Sequence, residues 1–404
     1  MKHAAVLVLA LSLVRVEAAP PAIPPQASAA LSEVLRAAVT RGDVPAVEAL
    51  VVDRDGVLYH EAFGMLNVAR GVALPKDAIF RIASMTKPVT SLAAMMLVEE
   101  RKLRLDDEVS RYLPAFKNRQ VMTAVDQADG TLETRPAARP MTIRHLLTHT
   151  SGIGYAWSDP REAAVQKKLG LSEPELPLLH DPGDRWTYSA STRVLGDVIA
   201  AISGRPLDVV LQSRVFAPLG MNDTTFAVPR EKYARVVTAY QRTNSALVEL
   251  PNPEVLDETV RGDGGLYSTA SDYGTFLRVL LNDGQLGGHR LASAATIRQM
   301  TQNQIGRLVI EQQPAADGNR TRPYPLGAGR DKWGFGFQLA AAPLRDGMRS
   351  GGSYSWGGIY NTHFWVDPQR SIGVVLLMQL LPFYDDRAIA LLQGFERSVN
   401  ASLK

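Results

Sequence analysis

The two ends of this chain read as halves of one structure. Near the amino end, Leu31, Val34, Leu35, Ala38 and Val39 fall at helical spacing, which predicts an amphipathic helix over Ala27–Arg41 that stops at Gly42. Two apolar runs follow, Val47–Asp53 and Val57–Phe63, joined at Asp55-Gly56, a favoured hairpin pair. Near the carboxyl end, Trp333–Ala340, Ile359–Val366 and Ile372–Met378 read as strands, and Asp367-Pro368 opens the turn between the last two. A helix over Asp386–Val399 closes the chain. Strands escorted by a helix at both termini imply one antiparallel sheet built from the two ends. The middle, from about Val98 to Leu219, alternates helical patterns with polar loops such as Asn118–Pro140. The expected fold is therefore α/β (α+β). Residues 27–97 and 220–404 form a lobe of antiparallel sheet flanked by helices, and residues 98–219 form an inserted, mainly helical lobe. Gln312–Asp331, rich in Pro, Gly, Arg and Asp, reads as a long surface loop.

Composition narrows the classes open to such a fold. With 404 residues, 46% of them hydrophobic, the chain has ample material for a large core, and a net charge of +3 is too small for a disordered chain. Its 44 basic residues nearly balance 41 acidic ones with no basic run, which argues against a nucleic-acid partner. The absence of cysteine excludes disulfides, thiolate zinc sites and a cysteine nucleophile. Lys2 and His3 precede an apolar run, Ala4–Val14, and Val16-Glu17-Ala18 ends in a small residue. This predicts a signal peptide over residues 1–18, cleaved after Ala18, and hence a periplasmic or secreted protein. A proline-rich tether over residues 19–26 follows, and no stretch reaches the length of a transmembrane helix.

The chemistry centres on Ser84-Met85-Thr86-Lys87, which leads into the apolar helix Val89–Val98. With Ser84 at the helix start, Lys87 lies one turn later on the same face, within reach of the serine oxygen. A helix amino end favours developing negative charge, and a desolvated lysine can lose its proton and act as a base. Ser-x-x-Lys alone arises by chance about once in a chain of this length. Two further segments give it meaning. Trp186-Thr187-Tyr188-Ser189-Ala190 places Tyr188 at the junction with a helix over Val194–Ala201, and Gly351–Gly358 leads into a strand beginning near Ile359, where glycines let a substrate lie against the backbone.

These three segments in this order resemble the serine β-lactamase and penicillin-binding-protein superfamily. The phrases Thr142–Gly152 and Gly264–Asp272 strengthen the likeness, which spans Leu31 to Met378 and is most pronounced towards the family VIII carboxylesterases, relatives of class C β-lactamases. The resemblance implies a β-lactamase/transpeptidase-like fold, Ser84 as nucleophile, and Lys87 and Tyr188 sharing the base role. It also implies backbone N–H groups of Ser84 and Ile359 as the oxyanion donors, with no metal and no cofactor. Two departures bear on specificity. Class C enzymes carry Tyr-x-Asn and Lys-Thr-Gly, where this chain has Ala190 and Trp356-Gly357-Gly358. Losing a cation and an amide leaves a buried substrate carboxylate poorly paired, and an aromatic there favours uncharged groups. Trp356, Gly357 and Gly358, together with Tyr155, Trp157 and Tyr360, are the expected substrate-binding residues.

The expected function is a serine carboxylesterase acting on short-chain or uncharged esters through an acyl-enzyme. The alternatives are a β-lactamase, a D-Ala-D-Ala peptidase or an acyltransferase using the same serine, and, from another class, a penicillin-binding-like sensor without turnover. Arg320 or Arg330 in the Gln312–Asp331 loop could supply the missing cation. His145 and His149 stand at zinc-pair spacing, but no glutamate lies between them, so helix-end hydrogen bonding is the expected role. Arg261-Gly262-Asp263 reads as a coincidental tripeptide opening a glycine-rich turn.

Overall fold

The computed structural model describes residues 23–250, 256 and 258–403. The expected signal peptide, its cleavage point and half of the tether, residues 19–22, lie outside the described residues. Helix α1 spans Pro25–Thr40, so the tether ends earlier than expected: Pro25 enters the first helical turn, where a missing N–H costs nothing. Strands β1 (Ala46–Val52), β2 (Val57–Asn67) and β3 (Val72–Ala73) follow. Asp53 accepts from the N–H groups of Asp55 and Gly56 at 2.8 and 2.7 Å, which fixes the first hairpin turn.

Helix α2 (Thr86–Glu99) comes next, then a hairpin of β4 (Gln120–Val125) and β5 (Leu132–Pro136), helix α3 (Ile143–Leu147) and helix α4 (Ser191–Ser203). The hairpin falls within Asn118–Pro140, which the sequence reading leaves as loop. Its second strand, Leu-Glu-Thr-Arg-Pro, is largely exposed and carries no apolar alternation to betray it. Helix α5 (Ala270–Leu281) precedes the closing strands β6 (Lys332–Trp333), β7 (Gln338–Leu339), β8 (Tyr354–Gly358), β9 (Thr362–Asp367) and β10 (Ile372–Leu377), and helix α6 covers Asp386–Ser402.

One antiparallel sheet runs β6-β7-β8-β9-β10-β1-β2-β3, with β10 from the carboxyl end paired directly to β1 from the amino end. This is the sheet built from both termini that the sequence implies. Two boundaries move. Trp333–Ala340 is two short strands folded on each other rather than one. The glycine-rich motif does not lead into a strand at Ile359 but is itself strand β8, and Ile359-Tyr360 form the turn that follows.

The sheet is covered on both faces. Val47, Ala49 and Val51 of β1 pack with Leu31, Leu35, Leu391 and Phe395 of the two terminal helices, while Leu50 and Val52 turn to the other side, against Phe276 and Leu277 of α5. Gly274 lets α5 settle on the sheet, since a Cβ there would lie 2.2 Å from Leu50 Cδ2. Beneath that layer α2 is buried from Thr86 to Leu97, and α4 belongs to the same apolar core. The functional motifs meet where α2, α4 and β8 converge.

Candidate active site

Ser84 sits in a single 3₁₀ turn, Ala83–Met85, that feeds α2. Ala83 adopts a left-handed conformation with φ of 44°, uncommon for a residue with a Cβ, so the turn carries local backbone strain beside Ser84. Lys87 follows one turn later and is fully buried. Its Nζ donates to Ser84 Oγ at 3.1 Å, to the Tyr155 hydroxyl at 3.0 Å and to the Asp263 backbone carbonyl at 2.7 Å. Tyr155 has already committed its own proton, donating to Asp263 Oδ2 at 2.6 Å. Two of the three partners of Lys87 are therefore acceptors only. A neutral amine keeps those two bonds and must turn its lone pair to Ser84. Burial is the main force that lowers the Lys87 pKa to about 7, opposed by Asp263 and reinforced by Arg193 and Arg261.

Asp263 stays ionised although buried. Burial raises its pKa, but the Lys87 and Arg193 charges and the bonds from Arg193 and Tyr155 outweigh it. Arg193 reaches both Asp263 oxygens at 3.2 Å and Glu173 at 3.0 Å. This part of the site was not visible in the sequence. Asp263 closes the tripeptide read as coincidental, and Tyr155 serves Lys87 rather than only lining the pocket. The nearest signal is the phrase Gly264–Asp272, which begins one residue after it.

Tyr188 lines the same cleft as Ser84. Its hydroxyl accepts from the Trp356 indole N–H at 3.0 Å. Burial raises the Tyr188 pKa, and the nearby Ser84 hydroxyl and the bond from Trp356 act against that rise. The Trp356 ring lies 4.7 Å from Tyr188 and is itself buried, outside the cleft that holds Ser84. The expectation that Trp356 touches substrate is thus corrected: the pleat of β8 turns it inward, onto the tyrosine. His149 packs behind Tyr188 at 4.9 Å and pairs with Ser189 Oγ at 3.1 Å. It lies beyond the end of α3 in a left-handed turn, so it does not share a helical face with His145. His145 caps α3, its Nδ1 accepting from the Thr142 N–H at 3.1 Å.

The cleft above Ser84 encloses about 340 Å³, and its walls include Tyr155, Trp157, Gly357, Ile359 and Tyr360. Trp157 stacks on Tyr155 at 4.9 Å. Gly358 has a different purpose from the one expected. A Cβ there would lie 2.3 Å from the Ile82 carbonyl oxygen, so this glycine lets β8 close on the turn that carries Ser84 rather than admit a substrate. The closure brings Ile359 and Ser84 to one cleft wall. Of the two loop arginines that could supply a cation, Arg320 lines the cleft, together with Arg81, Arg193 and Arg261, whereas Arg330 pairs with Asp331 at 3.1 Å.

The family model for beta-lactamase matches residues 31–396. The chain belongs to the beta-lactamase family. Within that family it is 35% identical over 387 residues to Protein Rv1367c of Mycobacterium tuberculosis, covering 91% of this chain and 92% of that one. It is 31% identical over 369 residues to Esterase EstB of Burkholderia gladioli, covering 81% and 84%. Among solved structures, a mutant of simvastatin synthase LovD from Aspergillus terreus superposes with a TM-score of 0.81 at 26% identity, covering 93% and 97%. Esterases and acyltransferases both occur among these beta-lactamase-family relatives. The α/β architecture with its large antiparallel sheet is the fold of that family.

Proposed function

We propose that the protein cleaves small carboxylic esters through an acyl-enzyme on Ser84. The observation that carries this reading is the set of acceptors around Lys87. They hold two of its N–H bonds and leave the lone pair of the neutral amine for the Ser84 hydroxyl. In the acylation step Ser84 Oγ attacks the ester carbonyl and its proton passes to Lys87, while the Ser84 and Ile359 N–H groups receive the oxyanion. The C–O bond to the alcohol then breaks, and the alkoxide takes a proton from Lys87 directly or through Tyr188. Water, activated along the same path, releases the acid and restores the serine.

The same intermediate can pass its acyl group to an alcohol instead of water, and the acyltransferases among the relatives favour that as a second outcome. Export belongs to the proposal too, on the strength of the charged start and apolar run within residues 1–18. Rapid mixing with nitrophenyl butyrate tests the reading. A burst of nitrophenol stoichiometric with enzyme, followed by steady turnover, is expected. A burst without turnover would make the protein a sensor, and turnover that persists in Ser84→Ala would exclude the serine route. Added short alcohols are expected to yield the transfer ester if the second outcome operates.

A further inference from the structure

Arg320 is a cation held at the cleft without a partner in the fold. It lines the same cavity as Ser84, is exposed, and among the described residues its guanidinium makes no hydrogen bond or ion pair. The two carboxylates in that wall, Glu173 and Asp263, are both bound by Arg193, at 3.0 and 3.2 Å. The backbone carrying Arg320 is nonetheless pinned. Its N–H donates to the Asp317 carbonyl at 3.0 Å, and its carbonyl accepts from the Phe383 N–H at 2.9 Å. Two residues on, Arg322 returns a bond to the Phe383 carbonyl at 2.8 Å. The preceding stretch is docked as well, with Ala316 and Asp317 donating to the carbonyls of Ser158 and Trp157 at 3.1 and 3.0 Å. Trp157 and Phe383 are themselves cleft walls. A fixed backbone that carries an uncommitted guanidinium to a cleft is what recognition of an anionic ligand group requires.

We propose that Arg320 binds a carboxylate on the substrate, so that the preferred esters carry a free acid, either on the acyl side as a hemiester of a dicarboxylic acid or on the alcohol side as an ester of a hydroxy acid. The proposal rests on the reading of Ser84 as the nucleophile and adds the substrate class. Guanidinium and carboxylate match as a planar, two-pronged pair, and a concave wall strengthens the attraction by limiting screening.

The test compares two acid-bearing esters with neutral counterparts of equal size. A mononitrophenyl adipate against nitrophenyl hexanoate probes the acyl side, and 4-carboxyphenyl butyrate against 4-methylphenyl butyrate probes the alcohol side. In the wild type one acid-bearing ester is expected to exceed its neutral counterpart in kcat/KM by about 10-fold or more, and Arg320→Gln to cut that ratio by about 10- to 100-fold, the scale of a lost charge-assisted pair. Added salt should erode the wild-type ratio and leave the variant's ratio flat. Arg320→Lys is expected to keep part of the ratio and its salt dependence. A wild type that disfavours both acids, or a ratio that Arg320→Gln leaves intact, would overturn the proposal. Ser84→Ala separates the two claims. If it abolishes cleavage of all four esters, only the Arg320 proposal is at stake in the ratios; if cleavage persists, the nucleophile reading fails by itself.

Discussion

Lys87 shows how much one buried side chain can be constrained by acceptors that never take part in the reaction. Its pKa of about 7 lies far below the 10.5 of a free lysine, so in the folded protein the amine is neutral above about pH 7 and charged below. A base must be neutral. The expected kcat/KM therefore rises with pH through about 7 and levels off above it, a profile that steady-state rates across pH 5–9 will display. Asp263→Asn removes the main group that opposes the fall in the lysine pKa, so the rise should move to lower pH. A limb that stays in place would remove Asp263 from the electrostatics of the base.

Trp356 gives a second prediction at this scale. Trp356→Phe keeps an aromatic ring but removes the N–H that Tyr188 accepts. Burial then acts on Tyr188 with less opposition, and kcat is expected to fall by about 10-fold, the worth of one buried hydrogen bond, with KM nearly unchanged. A large rise in KM at constant kcat would return Trp356 to substrate contact. Ser84, Lys87 and Tyr188 are legible in the sequence because each lies in a short local motif. Asp263 is not, because the lysine it acts on, through its carbonyl and its charge, lies 176 positions away.

Among the elements, the helix at Pro160–Leu169 carries Glu162, whose carboxyl is fully buried against Gly154, beside Tyr155. Burial raises its pKa well above the ordinary 4.5, and the nearby charges of Asp159 and Glu173 add to the rise. The sign for stability follows directly. A carboxyl that stays protonated in the fold but ionises in the unfolded chain stabilises fully below about pH 4.5, and that contribution shrinks as pH rises towards the folded pKa. Glu48, raised to about 7 by burial despite its bond to His60, acts in the same direction between about 4.5 and 7. Glu162→Gln removes one ionisation, so its Tm is expected to fall less than the wild type's between pH 5 and 8. Parallel Tm curves for the two proteins would show that Glu162 does not titrate on unfolding. Strands β1, β2 and β10 were readable because continuous apolar runs and a hairpin pair mark them. Strand β9 was readable within a few residues, but β8 was not, since its glycines look like a loop until Ile82 is seen against Gly358.

At the scale of the whole molecule, the pairing of β10 with β1 joins the two termini into one sheet, and the segments between them bring Tyr188 and Tyr155 to the cleft of Ser84. That plan was legible in the sequence because both ends repeat the same strand-and-helix pattern. Which of Arg320 and Arg330 reaches the cleft was not legible, because both lie in a loop with no periodicity to orient them.

The central claim is that Ser84 becomes covalently acylated, and trapping it on the intact protein is the most direct measurement. An active-site-directed alkyl phosphonate ester with a nitrophenol leaving group should add one adduct mass to the intact chain, abolish esterase activity in step with labelling, and map to the peptide containing Ser84. Ser84→Ala should take up no label. An adduct on another residue, or full activity in the labelled protein, would contradict the account.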